Sequence, residues 1–105
     1  MNATTSDYKT LIENEPSGLN QDCRKYAANY ALAFVLRKYG VAQNAIATKM
    51  GCARSTINQW VNGVSEMLSN SAPKISVALK GMESIDGKAA SDDFWTLYQN
   101  YGQEI

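Results

Sequence analysis

The segment from Gln43 to Gly63 reads QNAIATKMGCARSTINQWVNG. Its apolar residues predict two short helices, because those before and after Gly51 each recur at helical intervals along one side. They are Ile46, Ala47 and Met50 in the first helix, and Ile57, Trp60, Val61 and Val64 in the second. Gly51 lies where the chain must reverse, and we expect the backbone there to need a positive φ angle, which glycine adopts without strain.

The opposite side of the second helix is polar. It carries Ser55, Asn58, Gln59 and Asn62, whose side chains can all donate and accept hydrogen bonds. The core of the helix pair is predicted to be Ala47, Gly51, Ile57 and Trp60. Together these features favour a helix-turn-helix, with Gln43 to Met50 as the supporting helix and Arg54 to Val61 as the recognition helix. The alternative is an ordinary pair of core helices with no ligand.

This segment resembles the repressors and Cro proteins of lambdoid phages and the wider set of Xre-type regulators. The resemblance is carried by Gln43, Ile46, Ala47, Lys49, Met50, Gly51, Ser55, Ile57, Gln59, Asn62 and Gly63. It is strong over residues 41–63 and fair back to about residue 20, but faint beyond residue 64 and absent before residue 20. The resemblance implies a lambda-repressor-like DNA-binding domain.

A chain of 105 residues fits one domain with enough core to fold independently. We expect a compact all-α bundle of five to six helices. Residues 1–19 would form an N-terminal arm or short helix, residues 20–82 the DNA-binding core and residues 91–101 a C-terminal helix. We expect no room in these residues for the separate oligomerisation and self-cleaving domain of lambda-type repressors, so the resemblance would stop at their DNA-binding portion.

The helix before the motif is expected to be the longest in the chain. Asn20 is a suitable N-cap for it, and the helix would run to about Tyr39 and end at Gly40. Its residues are apolar on more than one side. A helix of this kind must be covered from several directions, which predicts a central scaffold for the two motif helices.

Two further helices are predicted after the motif. The first begins at Ser71 and ends near Gly81, a connection covers residues 82–90, and the second runs from Ser91 to Tyr101. The second carries Phe94, Trp95, Leu97, Tyr98 and Tyr101. This aromatic surface either completes the monomer core or meets a second copy of the chain. Because phage repressors pair through elements after the motif, the resemblance favours a homodimer.

The recognition helix is the predicted base-reading element. Arg54 is its first residue, and the guanidinium fork matches O6 and N7 of guanine in the major groove. Ser55 and Gln59 are the next candidates, and a glutamine can pair with adenine. The resemblance places base contacts at these positions, but the phage repressors have glutamine where this chain has Arg54. The operator sequence is therefore not carried over.

A second set of side chains is predicted to hold DNA phosphates. The resemblance assigns this role to Gln43 and Asn62, which would set the register without reading sequence. Thr56, Asn58 and Lys49 could join them. The alternatives are solvation for Asn58 and an ordinary surface charge for Lys49, and Ser55 could act only as a cap.

Charge is distributed unevenly although the formal net charge is zero. Residues 20–63 hold Arg24, Lys25, Arg37, Lys38, Lys49 and Arg54 against a single acidic residue, Asp22, for a local net charge of +5. The segments before and after carry −2 and −3. The concentration of positive charge around the motif favours a phosphate-bearing partner. The alternative is that these residues are only solvated helix faces.

Zinc ligation and histidine-based catalysis have no candidate residues, and the Ser, Lys and carboxylate residues show no catalytic spacing. The chain contains no histidine, and its two cysteines, Cys23 and Cys52, are far apart in sequence, so neither zinc ligation nor histidine acid-base catalysis is expected. Both cysteines are interpreted as core residues in a reducing cytosol, with a disulfide as the alternative. No apolar run is long enough for a membrane span. We therefore expect a cytoplasmic protein without a cofactor that is not an enzyme.

The sequence thus favours a DNA-binding transcriptional regulator, a small repressor or Cro-like protein of a phage or mobile element. It would bind an inverted-repeat operator in double-stranded DNA as a homodimer. The alternative is an antitoxin-type protein-interaction module that also binds DNA. Such a module would hold a partner protein through its acidic C-terminal third and its N-terminal segment.

Overall fold

Six α-helices and two short 3₁₀ helices make up the computed structural model of this chain, which describes residues 3–102 and side chains from residue 8 onward. The α-helices are α1 (Ala3–Glu13), α2 (Ala27–Tyr39), α3 (Gln43–Met50), α4 (Arg54–Val61), α5 (Ala72–Lys80) and α6 (Gly87–Asn100); the 3₁₀ helices span Gln21–Lys25 and Ser69–Ser71. The described residues contain no β-strand. The predicted all-α helical bundle is confirmed.

Helix α2 is the centre of the bundle. Its nine residues from 28 to 36 are all buried, and it packs against α6, α4 and the first 3₁₀ helix. Gly40 ends the helix with φ 66°, as predicted, and its N–H is bonded to carbonyl groups of the last turn. Nine successive buried positions require neighbours on every side, and α2 supports α4 as predicted, whereas α3 packs mainly against α4 and α5.

The segment before α2 differs from the prediction. Instead of one helix from Asn20 to Tyr39, a 3₁₀ helix is followed by an extended residue, Tyr26, with φ −135° and ψ 138°. Asn20 does act as a cap, since its side chain accepts from the N–H of Asp22 at 2.8 Å, but it caps the 3₁₀ helix.

Tertiary contacts explain why this helix is divided. Gly63, which follows α4, lies so close to Asp22 that a Cβ atom there would collide with the Asp22 carbonyl group. The hydroxyl group of Tyr101, at the end of α6, donates to the carbonyl oxygen of Arg24. The 3₁₀ segment is therefore held by partners far away in sequence, which a local reading of helix signals does not detect.

Helix α5 begins and ends where the sequence predicted, but α6 begins earlier. Its N-cap is Asp86, whose side chain accepts from the N–H of Ala89 at 3.1 Å, so residues 87–90 belong to the helix and are not a connection. Ser91, the predicted start, is a buried residue inside α6. It lies 2.6 Å from the hydroxyl group of Ser76 in α5.

Gly87 explains the error at this position. A Cβ atom there would collide with the carbonyl oxygen of Leu79. The glycine therefore allows α6 to approach α5 closely, although it falls within the connection predicted for residues 82–90. With the extra turn, α6 has 14 residues and is the longest helix in the described chain. The prediction that the helix before the motif is the longest was therefore wrong.

The buried apolar residues of the described chain form one cluster that includes side chains of all six α-helices. Helix α1 contributes Tyr8 and Leu11 and packs against α6. Cys23 is buried and Cys52 half-buried, and both are free thiols. None of the described helices is long and apolar enough to cross a bilayer.

Candidate nucleic-acid interface

Helices α3 and α4 are joined by a three-residue turn that Gly51 begins. Gly51 has φ 72° and ψ 31°, and its N–H is bonded to the carbonyl groups of Ala47 and Thr48. A Cβ atom at this position would have no neighbour within 4 Å. The glycine is therefore needed for its positive φ angle, as predicted, and not for space.

The inner side of the helix pair is firmly anchored. Ile46 and Ile57 are completely buried and Ala47 is 3% exposed, so Ala47 and Ile57 lie in the core as predicted, and α3 packs against α4. Trp60 differs from the prediction, because it is only partly buried and packs at the margin of the core. Ile57 is completely buried and is therefore the main anchor of α4.

The outer side of α4 is open to solvent. The three predicted base-reading residues, Arg54, Ser55 and Gln59, are all exposed. Among the predicted phosphate-contacting residues, Asn58 and Lys49 are exposed, and the structure half-buries Gln43, Thr56 and Asn62. The structure therefore brings Arg54, Ser55, Asn58 and Gln59 together on one accessible face.

Four amide side chains form a hydrogen-bonded chain beside this face. The Nδ2 of Asn20 donates to the Oδ1 of Asn62 at 3.1 Å, and the Nδ2 of Asn62 donates to the Oδ1 of Asn58 at 3.1 Å. The Nδ2 of Asn58 then donates to the Oε1 of Gln43 at 3.3 Å. The amide chain therefore links the segment before α2 to α4 and to the first residue of α3.

A groove of about 400 Å³ lies beside this amide chain and is lined by three of its four members, Asn20, Gln43 and Asn62. Its polar lining includes Asn20, Arg37, Gln43, Arg54 and Asn62. Arg37 is held there because its Nε and Nη2 atoms donate to the carbonyl oxygen of Ser17 at 3.3 and 3.2 Å. The sequence had placed Arg37 in the basic segment but gave it no contact, and Asn20 was assigned only as a cap.

The positive surface is smaller than the sequence count of +5 suggested, because the structure pairs three of the six basic residues with carboxylates. Arg24 is bonded to Glu15, Lys38 lies 2.7 Å from Asp93, and Lys25 lies 4.0 Å from Asp22. Of these six basic residues, Arg37, Lys49 and Arg54 have no carboxylate partner among residues 8–102. Two of these three, Arg37 and Arg54, line the same groove.

A second polar cluster lies away from this face and was not predicted. Glu15 accepts hydrogen bonds from Arg24 and from the hydroxyl group of Tyr30. Burial alone would raise the pKa of Glu15, but the two hydrogen bonds and the charge of Arg24 outweigh it, so the pKa of this carboxyl group is lowered. Burial and the contact with Glu15 raise the pKa of Tyr30.

The aromatic residues of α6 are divided between core and surface. Phe94 and Leu97 are completely buried in the chain's own core, so these two predicted dimer contacts are corrected to core residues. Tyr101 also folds inward, with its ring 5.2 Å from that of Tyr30. Trp95 and Tyr98 are partly exposed.

Nothing in the described part of the chain resembles a metal site. Among the described residues, no three His, Cys, Asp or Glu side chains are grouped so that they could hold a metal ion. Comparisons of the chain with protein-family models, with curated proteins and with solved structures found no match.

Proposed function

We propose that this chain is a sequence-specific DNA-binding transcriptional regulator, a small repressor-like or Cro-like protein that inserts α4 into the major groove. The observation that supports this most strongly is the division of α4 into two sides. Ile57 is completely buried against the bundle, whereas Arg54, Ser55 and Gln59 face solvent together. Recognition of the major groove needs a helix that is packed against the domain on one side and presents hydrogen-bonding side chains on the other.

The order of residues along α4 is suited to base recognition. Arg54 is the first residue of the helix, and the N-terminal turn of a recognition helix is the part that reaches base edges. Ser55 is next to it, and Gln59 is one turn further on the same side. Arg54 is the residue that we assign to guanine, with Ser55 and Gln59 as the neighbouring readers.

The surroundings of α4 are suited to the phosphate backbone. The N-caps of α3 and α4 are Ala42 and Ala53, which make no side-chain cap, so the positive ends of both helix dipoles can attract an anion. Gln43 and Asn62 line the groove that also holds Arg37 and Arg54. Neutral donors and two cations in one groove are the chemistry that fixes the register of a protein on a duplex.

The regulator would act as a homodimer on an inverted-repeat operator. Two copies related by a twofold axis place their recognition helices on one face of the duplex, about 34 Å apart. Each copy then reads one half-site. Phe94 and Leu97 are not available for this pairing, since both are buried within one chain.

A second candidate function is the antitoxin-type module, which holds a partner protein as well as DNA. The observation that favours it is a set of large apolar residues exposed outside the α3–α4 pair: Val64, Leu68 and Val77 are 72%, 67% and 70% exposed. Apolar side chains in such positions suit a protein partner. Co-purification of one defined protein with the chain would support this function.

The DNA-binding proposal is tested by selecting bound duplexes from a random DNA pool at moderate salt. The expected result is enrichment of an inverted repeat whose half-sites are about one helical turn apart. A variant with Ser55 and Gln59 both changed to alanine serves as the control, and it should recover a degenerate sequence. Failure of the unmodified protein to enrich any sequence would contradict the proposal.

A further inference from the structure

The amide chain Asn20–Asn62–Asn58–Gln43 has a direction. An amide side chain can donate only through its nitrogen and accept only through its oxygen, so each hydrogen bond constrains the orientation of the next group. The amide chain begins at Asn20, whose Oδ1 accepts a hydrogen bond from the backbone N–H of Asp22 at 2.8 Å. Because that N–H cannot accept, Asn20 must turn its oxygen toward Asp22 and its nitrogen toward Asn62.

The remaining orientations follow from this first one. Asn62 receives a hydrogen bond from Asn20 and must therefore offer its oxygen there and its nitrogen to Asn58. Asn58 in turn offers its nitrogen to Gln43. The last group, Gln43, accepts through Oε1, which leaves its Nε2 without a hydrogen-bond partner in the described residues.

The free nitrogen of Gln43 belongs to a side chain that lines the groove with Arg37 and Arg54. Its two N–H bonds therefore add donors to a site that already contains two cations. An amide in the opposite orientation would add a carbonyl oxygen, which a phosphate repels.

We propose that Asn20 is a positioning residue for DNA binding, because it sets the direction of the amide chain and so makes Gln43 a donor toward a backbone phosphate. This inference rests on the proposed function, and it adds a residue outside the α3–α4 pair to the DNA-binding machinery. Asn20 does not itself contact the phosphate. Its effect passes through Asn62 and Asn58 to Gln43.

The test is the substitution Asn20→Asp. Aspartate is as good an N-cap as asparagine, so the bond from Asp22 and the melting temperature should be retained. Aspartate cannot donate to Asn62, however, and the chain of amides should reverse until Gln43 turns its oxygen outward. Affinity for the selected duplex should fall about tenfold, as expected for the loss of one hydrogen bond to a charged group.

The added negative charge is controlled by a double-mutant cycle with Gln43→Ala. Charge repulsion alone would act in both backgrounds, whereas an effect that passes through Gln43 requires that side chain. We expect Asn20→Asp to weaken binding about tenfold when Gln43 is present and less than about threefold in the Gln43→Ala background. Equal factors in the two backgrounds would overturn the inference.

A measurement on the free protein tests the amide chain without DNA. The side-chain NH₂ resonances of Gln43 should shift in Asn20→Asp, because this group would gain Asn58 as an acceptor. The same resonances should remain in place in Asn70→Asp, an exposed site in the second 3₁₀ helix.

The possible outcomes separate this inference from the proposed function. Unmodified protein that binds no DNA would overturn the proposed function, and the inference with it. DNA binding that Asn20→Asp leaves unchanged, or Gln43 resonances that do not move, would overturn the inference alone. A tenfold loss confined to the background that contains Gln43 would support both.

Discussion

Arg54 combines three properties at one position of the chain. It is the first residue of α4, its side chain is exposed, and no ion pair among the described residues involves it. An unpaired guanidinium group at the start of an accessible helix loses little when it contacts a new acceptor, since no existing ion pair must be broken. Arg54 is therefore the residue at which recognition is most directly tested.

We expect Arg54→Ala to weaken binding to the selected duplex by about 1–3 kcal/mol and to relax preference at one base pair. Fluorescence anisotropy titrations on the selected duplex and on its single-base variants measure both effects. Lys80→Ala, which removes an exposed cation at the end of α5, is the charge-matched control and should change affinity little. Equal losses on selected and random DNA would show that Arg54 contacts only the backbone.

Ionisation of the Glu15 carboxyl group should make the stability of the fold depend on pH. Its pKa is lowered in the folded chain by Arg24 and Tyr30, against the effect of burial, so the ionised form contributes stability above the ordinary pKa of 4.5. That contribution is lost as the pH falls below 4.5 and through the lowered pKa of the folded state.

The corresponding variant is Glu15→Gln, which should be less stable than the unmodified protein at pH 7. The difference in free energy of unfolding should decrease as the pH falls below 4.5, because the unmodified protein then protonates Glu15 as well. Urea denaturation at a series of pH values measures this difference. A difference that stays constant down to the acid limit would contradict a role for the ionised carboxylate.

Among the helices, α4 depends on a hydrogen-bonded junction with α2. Asn29, a completely buried residue of α2, donates to the carbonyl groups of Trp60 and Ser65 at 3.0 and 2.8 Å. Its Oδ1 accepts from the N–H of Met67 at 2.8 Å. One side chain therefore fixes the end of α4 and the segment after it.

We expect Asn29→Ala to lower the free energy of unfolding by about 3 kcal/mol, because one buried and two partly buried backbone groups would lose their side-chain partner. Thermal or urea denaturation measures the loss. The exposed Asn70→Ala should change stability by less than about 0.5 kcal/mol. A loss for Asn29→Ala as small as that of the control would show that water replaces these hydrogen bonds.

Two glycines that flank α4 differ although their backbones are alike. Gly51 has φ 72° and Gly63 has φ 68°, but a Cβ atom would meet nothing at Gly51 and would collide with Asp22 at Gly63. We expect Gly51→Ala to cost about 1 kcal/mol from the positive φ angle alone, and Gly63→Ala about 3 kcal/mol or more. Urea denaturation of the two variants compares them directly, and equal losses would contradict the close contact with Asp22.

The bounds of α3 and α4 were predictable from local features of the sequence, whereas the start of α2 and the start of α6 were not. Periodic apolar residues and Gly51 are properties of a single segment, so the bounds of α3 and α4 agree with the prediction. The break at Tyr26 and the early start of α6 depend on contacts with Gly63, Tyr101 and Leu79, which are distant in sequence. An amide side chain within the apolar sequence of α2 indicates that Asn29 has hydrogen-bond partners, but the sequence does not show which residues they are.

At the scale of the whole molecule, the end of α6 meets the segment that connects α1 to α2. Tyr101 at the end of α6 reaches Arg24, which is bonded to Glu15 after α1. The ion pairs of Arg24 and Lys38 neutralise charge that the sequence count had assigned to the DNA-binding surface. Sequence analysis could locate the basic residues but not their partners, because Asp93 is 55 positions from Lys38.

The most direct test of the proposed function is NMR chemical-shift mapping during titration with the selected duplex. We predict that the largest shifts fall on Arg54, Ser55 and Gln59 of α4 and on Gln43 at the start of α3, with little change in α5 and α6. Shifts confined to α5 around Val77, or no shifts at all with any duplex, would contradict the assignment of α4 as the DNA-reading helix.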